Sequence, residues 1–135
     1  MLSKKSHYAF KALAYLVERR NSGPVLIAEI AEAKKIPLKF LENILLDLKK
    51  ANILESKRGK GGGYYLTEEG LNVKLVTVMR LVNGPIALLP CVSLNFYQAC
   101  DDCSVDQCGL HDTLIAVRDA TLNILSSKSI IDLVK

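Results

Sequence analysis

Lys57-Arg58-Gly59-Lys60-Gly61-Gly62-Gly63-Tyr64-Tyr65-Leu66 is the stretch of sequence that decides the fold. Four of the seven residues from Lys57 to Gly63 are glycine, a density that allows a backbone turn other residue types do not tolerate. Lys57, Arg58 and Lys60 put three cations on its rising side. The preceding residues 51–56 read as a strand start, and Tyr64-Tyr65-Leu66 as the returning strand. The unit is therefore a basic, glycine-rich hairpin. A nucleotide-phosphate loop is the competing reading. It is weaker, because no helix N-terminus follows the glycines and the order G-x-x-x-x-G-K-[ST] is missing.

Upstream, the spacing predicts three helices. Ala9, Ala12, Leu13, Leu16 and Val17 share one face over residues 7–19. Asn21-Ser22-Gly23-Pro24 then breaks the chain. A short helix fits 28–35, burying Ile27, Ile30 and Ala31. Lys34-Lys35-Ile36-Pro37 marks a turn, with Pro37 suited to the first turn of a third helix. That helix runs to about Lys50 and buries Leu41, Ile44, Leu45 and Leu48. Two short helices joined by a tight turn form a helix-turn-helix unit. A basic hairpin directly behind one has the make-up of a wing, a loop that lies along the phosphate backbone or dips into the minor groove.

Downstream, Thr67-Glu68-Glu69-Gly70 reads as a cap or turn, and residues 73–81 as a helix ended by Asn83-Gly84-Pro85. A short apolar run, 86–90, leads into a cysteine loop. Leu110, Leu114, Val117, Thr121, Ile124 and Leu125 then repeat at helical spacing. This long helix has no obvious partner within the chain, so it is expected to pack on the same helix of a second copy. Folding back on the first helix is the alternative. Ser129 caps a last short helix. The expected architecture is mainly α with a small β-hairpin. Residues 1–82 would form a winged helix-turn-helix DNA-binding domain, 83–109 a cysteine-rich sensor loop, and 110–135 the dimerisation helix and C-terminal helix.

The bulk numbers agree. A chain of 135 residues, 50% hydrophobic and 24% charged, has ample material for a core. No apolar run is long enough to span a bilayer, and no secretion signal follows the basic start. That points to the cytoplasm, where close-set cysteines mean metal or redox chemistry more often than disulfides. Residues 1–70 carry 13 Lys and Arg against 8 Asp and Glu, net +5, while 71–135 carry 5 against 6, net −1. The first half is the polyanion-binding half. No G-x-S-x-G, H-E-x-x-H or carboxylate pair suggests hydrolysis, and a redox enzyme using Cys100 and Cys103 would not need a basic wing beside a helix-turn-helix.

All 4 cysteines and one of the 2 histidines fall between Cys91 and His111, as Cys91, Cys100, Cys103, Cys108 and His111. Thiolate and imidazole bind iron–sulfur clusters, zinc or copper(I). Clustering them on one loop keeps the closure entropy small.

These residues resemble the Rrf-two family of winged helix-turn-helix repressors, which includes iron–sulfur, nitric-oxide-sensing and cysteine-metabolism regulators. The resemblance covers nearly the whole chain. It is carried by Leu2-Ser3-Lys4-Lys5-Ser6-His7-Tyr8-Ala9, by Glu29-Ile30-Ala31, and by Phe40-Leu41-Glu42-Asn43-Ile44-Leu45. The wing Arg58-Gly59-Lys60-Gly61-Gly62-Gly63-Tyr64 departs from the family's R-G-P-G-G-G-Y only at Lys60. Gly84-Pro85-Ile86 before the loop and the long closing helix also fit. The resemblance implies a cytoplasmic homodimer on a palindromic double-stranded operator, with the long helices crossing at the dimer axis. It also implies three cysteines holding a 2Fe–2S or 4Fe–4S cluster, with a fourth ligand that varies.

Three ligand sets remain open. Cys91, Cys103 and Cys108 with His111 is the closest analogue of the iron–sulfur regulator. All four cysteines form the second set, with His111 structural. In the third, three cysteines are joined by a residue near the partner's N-terminus. His7 stands where the nitric-oxide sensor has an acidic ligand, although a surface or DNA-facing role suits it too. Zinc competes for Cys100, Cys103, Cys108 and His111, and a metal-free dithiol of Cys100 and Cys103 is a further reading.

On DNA, the third helix would enter the major groove with its N-terminal residues facing the bases. Lys39, Glu42 and Asn43 lie off its buried face. Glu42 can accept from a cytosine amine and Asn43 can address adenine, and in the resembled regulator the matching glutamate reads a base. Arg58 is the expected minor-groove or phosphate contact, Lys57 and Lys60 phosphate contacts, and Ser3, Lys4 and Lys5 further backbone contacts.

Overall fold

The structure is a computed structural model that describes residues 2–101 and 104–135. It is mainly helical, with one two-stranded hairpin. Helix α1, Lys4–Glu18, starts earlier than its apolar spacing suggests. The cause is Ser3, whose hydroxyl accepts from the Ser6 backbone N–H at 3.1 Å and caps the first turn. Its face of Ala9, Ala12, Leu13, Leu16 and Val17 is buried in the core.

Helices α2, Ile27–Lys34, and α3, Leu38–Lys50, form the helix-turn-helix. Lys35 turns the chain in the left-handed region, φ 54°, and the Ile36 N–H reaches back to the Ala31 carbonyl at 2.9 Å. This is a Schellman ending, made here without glycine. Pro37 then fixes the start of α3. Leu41, Ile44, Leu45 and Leu48 of α3 are all fully buried, and truncating one such leucine typically costs about 2–5 kcal/mol. The end of α3 repeats the device. Asn52 has φ 62°, and the Ile53 N–H donates to the Leu48 carbonyl at 3.0 Å.

The wing strands are β1, Leu54–Lys57, and β2, Gly63–Leu66. They pair antiparallel from Leu54 opposite Leu66 to Lys57 opposite Gly63. Val25, just before α2, adds an antiparallel bridge to Tyr64, with both backbone bonds at 2.8 Å. The wing is thereby tied to the helix-turn-helix. This junction requires Gly63. Its φ is 142°, and a Cβ there would stand 2.3 Å from the Val25 carbonyl oxygen.

Thr67 caps the short helix α4, Glu68–Leu71. Helix α5 spans Leu75–Asn83, shifted two residues along from the expected 73–81. A 3₁₀ turn at Pro90–Val92 opens the cysteine loop, a second at Val105–Gln107 closes it, and α6 runs over Gly109–Ser127. A last 3₁₀ turn, Ile130–Leu133, is capped by Ser129 and Asp132 and inserts fully buried Ile130 into the core beside α1.

The long helix differs from expectation in one respect. It has a partner within the chain, because α6 packs on α5 and on the Pro90–Val92 turn. Leu114, Thr121 and Leu125 are half-buried on that side. Leu110, Val117 and Ile124, seven residues apart, are 57%, 41% and 64% exposed. The single apolar stripe of the sequence thus divides into a face used within the chain and a heptad-spaced face left in water.

Candidate nucleic-acid interface and cysteine loop

On α3 the buried face turns Lys39, Glu42 and Asn43 outward, and all three are exposed. Glu42 forms no ion pair among the described residues. Its carboxylate is therefore available to a ligand rather than spent on a neighbouring lysine. Lys57, Arg58 and Lys60 are exposed on the wing. Lys49 Nζ donates to Ser56 Oγ at 2.6 Å, joining the end of α3 to the wing strand.

The N-terminal candidates divide. Lys4 is exposed. Lys5 pairs with Asp47 of α3 at 3.0 Å. Ser3 is occupied by structure: its hydroxyl caps α1, and its backbone N–H donates to Asn83 Oδ1 at 3.0 Å. Buried Ser6 completes the junction, with its hydroxyl 3.1 Å from the Val82 carbonyl and 2.9 Å from Asn83 Oδ1. Nothing in the residue pattern signals that the end of α5 clamps the start of α1. His7 is exposed on α1.

Helices α1 and α2 are braced by Tyr15, whose hydroxyl donates to Glu29, and by Arg19, 3.2 Å from the same carboxylate. The hydrogen bond to Glu29 holds the Tyr15 pKa above its ordinary value, helped by burial and by the carboxylate's charge.

In the cysteine loop, Cys91 is half-buried in the Pro90–Val92 turn and Cys100 is exposed. Together they line one cleft of about 280 Å³. Cys108 is half-buried and caps α6, its sulfur accepting from the His111 N–H at 3.4 Å. The His111 Nδ1 is buried without a hydrogen-bond partner. Asp112 Oδ1 lies 3.6 Å away, beyond hydrogen-bond reach. Cys91 and Cys100 thus share one cleft, and Cys108 and His111 one helical turn. Among the described residues no group of three or more His, Cys, Asp or Glu side chains converges, and Cys103 lies outside the described residues.

One residue of this region escaped sequence reasoning. Arg118 Nη1 of α6 donates to the Val92 carbonyl at 2.9 Å, while Nε and Nη2 hold Asp119 at 3.0 and 2.9 Å. An arginine with an adjacent aspartate reads as surface charge, and nothing local marks its distant carbonyl acceptor.

A family model described as Rrf2, iron-dependent transcriptional regulator, matches residues 2–135. The chain belongs to the Rrf2 family of helix-turn-helix transcriptional regulators. It is 47% identical over 106 residues to an Rrf2-like HTH-type regulator of Rhodobacter capsulatus, covering 76% of this chain and 71% of that one. It is 33% identical over 90 residues to IscR of Photobacterium profundum, covering 67% of this chain and 52% of that protein. The chain thus spans between about half and seven-tenths of the length of these two relatives. Among solved structures, the B. subtilis global cysteine regulator CymR superposes with TM-score 0.78 at 26% identity, covering 98% of this chain and 95% of that one. IscR from T. potens superposes with TM-score 0.74 at 26% identity, covering 98% and 85%. The family is one of DNA-binding transcription regulators, not enzymes. No described helix is long and apolar enough to cross a membrane.

Proposed function

We propose that this Rrf2 regulator is a cytoplasmic, homodimeric repressor of a palindromic operator, whose DNA affinity is set by an iron–sulfur cluster on the cysteine loop. The observation that carries the sensing part is His111. A buried imidazole nitrogen without a hydrogen-bond partner, on the helical turn that Cys108 caps, is a potential ligand atom that the fold leaves unused. The donor types fit. Cys91, Cys103 and Cys108 with His111 would hold the group, with Cys100 the alternative to Cys103. An iron–sulfur cluster supplies redox-sensitive, thiolate-ligated iron that oxygen or nitric oxide can attack.

The chain's own residues supply the linkage. Cys91 lies in the turn that Arg118 ties to α6, and Cys108 caps that same helix. Ordering or releasing the loop therefore acts on α6. The exposed heptad of Leu110, Val117 and Ile124 suits α6 to pair with its copy and set the spacing of two wings. Reading the operator falls to Glu42 and Asn43 for bases, and to Lys39, Lys57, Arg58, Lys60 and Lys4 for phosphates.

The test is the visible spectrum and the iron, sulfide and zinc content of protein purified without oxygen. Iron with acid-labile sulfide is expected. Stoichiometric zinc in colourless protein would make the loop structural. A second reading is a winged-helix regulator with structural zinc or no metal, controlled by a partner protein or thiol metabolite. It is favoured by the likeness to a cysteine regulator. Colourless, metal-free protein would support it.

A further inference from the structure

The apolar residues of α3 are mostly accounted for by packing. Leu41, Ile44, Leu45 and Leu48 are buried, and Phe40 meets Tyr8 edge-to-face with ring centroids 5.5 Å apart. Leu38 and Leu46 are the exceptions. They are 46% and 43% exposed. With Glu42 they stand four residues apart, so the three form one ridge along the helix, each step about 6 Å.

A single exposed leucine needs no explanation. The placement of this pair is what carries meaning. The two flank an unpaired carboxylate on the free side of the recognition helix, next to exposed Lys39 and Asn43. The exposed cations of the wing follow α3 in the chain. A surface of this composition matches a duplex groove: cations for phosphate, an acceptor for an amine, and methyl-rich side chains for an apolar group. In the major groove the cytosine amine is a donor that a glutamate accepts, and only thymine presents a methyl.

We infer that Leu38 and Leu46 are specificity-determining contacts to thymine C5-methyl groups on either side of the base read by Glu42. The 6 Å step against a base rise of about 3.4 Å places these thymines roughly two base pairs to each side. Each operator half-site therefore carries a methyl signature flanking one C·G pair. This rests on the assignment of α3 as the reading helix.

The experiment uses the full chain and a pool of randomised duplexes. The selected duplex is resynthesised with each thymine replaced singly by deoxyuridine, which lacks only the methyl. Losing one buried methyl corresponds to about a three- to fivefold weakening, expected at two thymines per half-site. Leu46→Ala removes the penalty at one of them and Leu38→Ala at the other. Both side chains are exposed, so the variants fold, as circular dichroism will show. If a duplex is selected but deoxyuridine is tolerated everywhere, or the penalties survive in both variants, the ridge does not read thymine. If no sequence is enriched at all, the reading role of α3 fails as well.

Discussion

Arg118 and Val92, 26 residues apart in sequence, are joined by a guanidinium-to-carbonyl hydrogen bond of 2.9 Å that ties the opening of the cysteine loop to the middle of α6. The Arg118 side chain is only 14% exposed, so the bond is sheltered. Backbone carbonyls in such turns usually face water. Here one is held by a charged fork whose other nitrogens are fixed by Asp119. The opening of the loop is thereby tethered to α6.

Arg118→Ala should free the loop. A hydrogen bond to a charged group contributes about 1.5–3 kcal/mol, and loss of this one is expected to appear locally. Amide exchange at Ser93 and Gln98, whose N–H groups both donate to the Pro90 carbonyl, should accelerate while α1 and α3 stay protected. Arg118→Lys should not rescue, because an ammonium cannot reach Val92 and Asp119 in the same fork. Unchanged exchange at both amides would mean that the loop is held by other contacts.

Gly63→Ala tests how the wing is attached. A methyl 2.3 Å from the Val25 carbonyl cannot be accommodated without breaking the Val25–Tyr64 bridge. The added strain of a positive φ makes a loss of roughly 2–4 kcal/mol the expected result in urea unfolding. Gly23→Ala is the control. Its φ of 80° carries strain as well, but a Cβ there meets nothing within 4 Å, so the smaller loss isolates the clash from the backbone term.

Stability should fall at high pH through Tyr15. Its pKa is raised in the folded chain by the hydrogen bond to Glu29. A group whose folded pKa exceeds its unfolded value binds its proton more tightly when folded. Its contribution is complete below the unfolded value of 10.0 and is lost as pH rises through the folded one. Urea midpoints should therefore decline above pH 10 in the natural chain. Tyr15→Phe should start lower at neutral pH and decline less steeply. Parallel curves for the two proteins would assign the alkaline limb to other groups.

Much of this was legible in the sequence, for reasons that can be located. Leu41, Ile44, Leu45 and Leu48 announce α3 because helical period and burial coincide, and the glycines of the wing announce a turn that no other residue permits. Boundaries were less legible. The cap made by Ser3 lengthens α1 beyond its apolar stripe, and the two-residue shift of α5 answers to backbone pairing of Val73 and Leu75 with the segment from Lys128 to Ile130. Long-range polar contacts were not legible at all. Asn83 with Ser3 and Ser6, and Arg118 with Val92, depend on tertiary proximity that composition does not encode. The candidate site is intermediate: Cys91, Cys100, Cys108 and His111 stand out as possible ligands by residue type, while the cleft shared by Cys91 and Cys100 is set by the tertiary fold.

The wing and the N-terminus of α1 both carry cations, but the structure separates them by their partners. Arg58 is exposed and without an ion pair among the described residues, whereas Lys5 is held 3.0 Å from Asp47. A phosphate contact releases counterions in proportion to the charge it neutralises, so each free cation at the backbone adds about 0.9 to the slope of log K against log salt. Arg58→Ala should therefore weaken operator binding and lower the slope by about one. Lys5→Ala removes a charge already balanced by a carboxylate, and leaves Asp47 to repel phosphate. It should weaken binding through that repulsion and through the lost α1–α3 tie, with a smaller change in slope. Salt titrations of both variants on one duplex separate the two roles. Equal slope changes would show that Lys5 leaves Asp47 on binding and contacts phosphate itself.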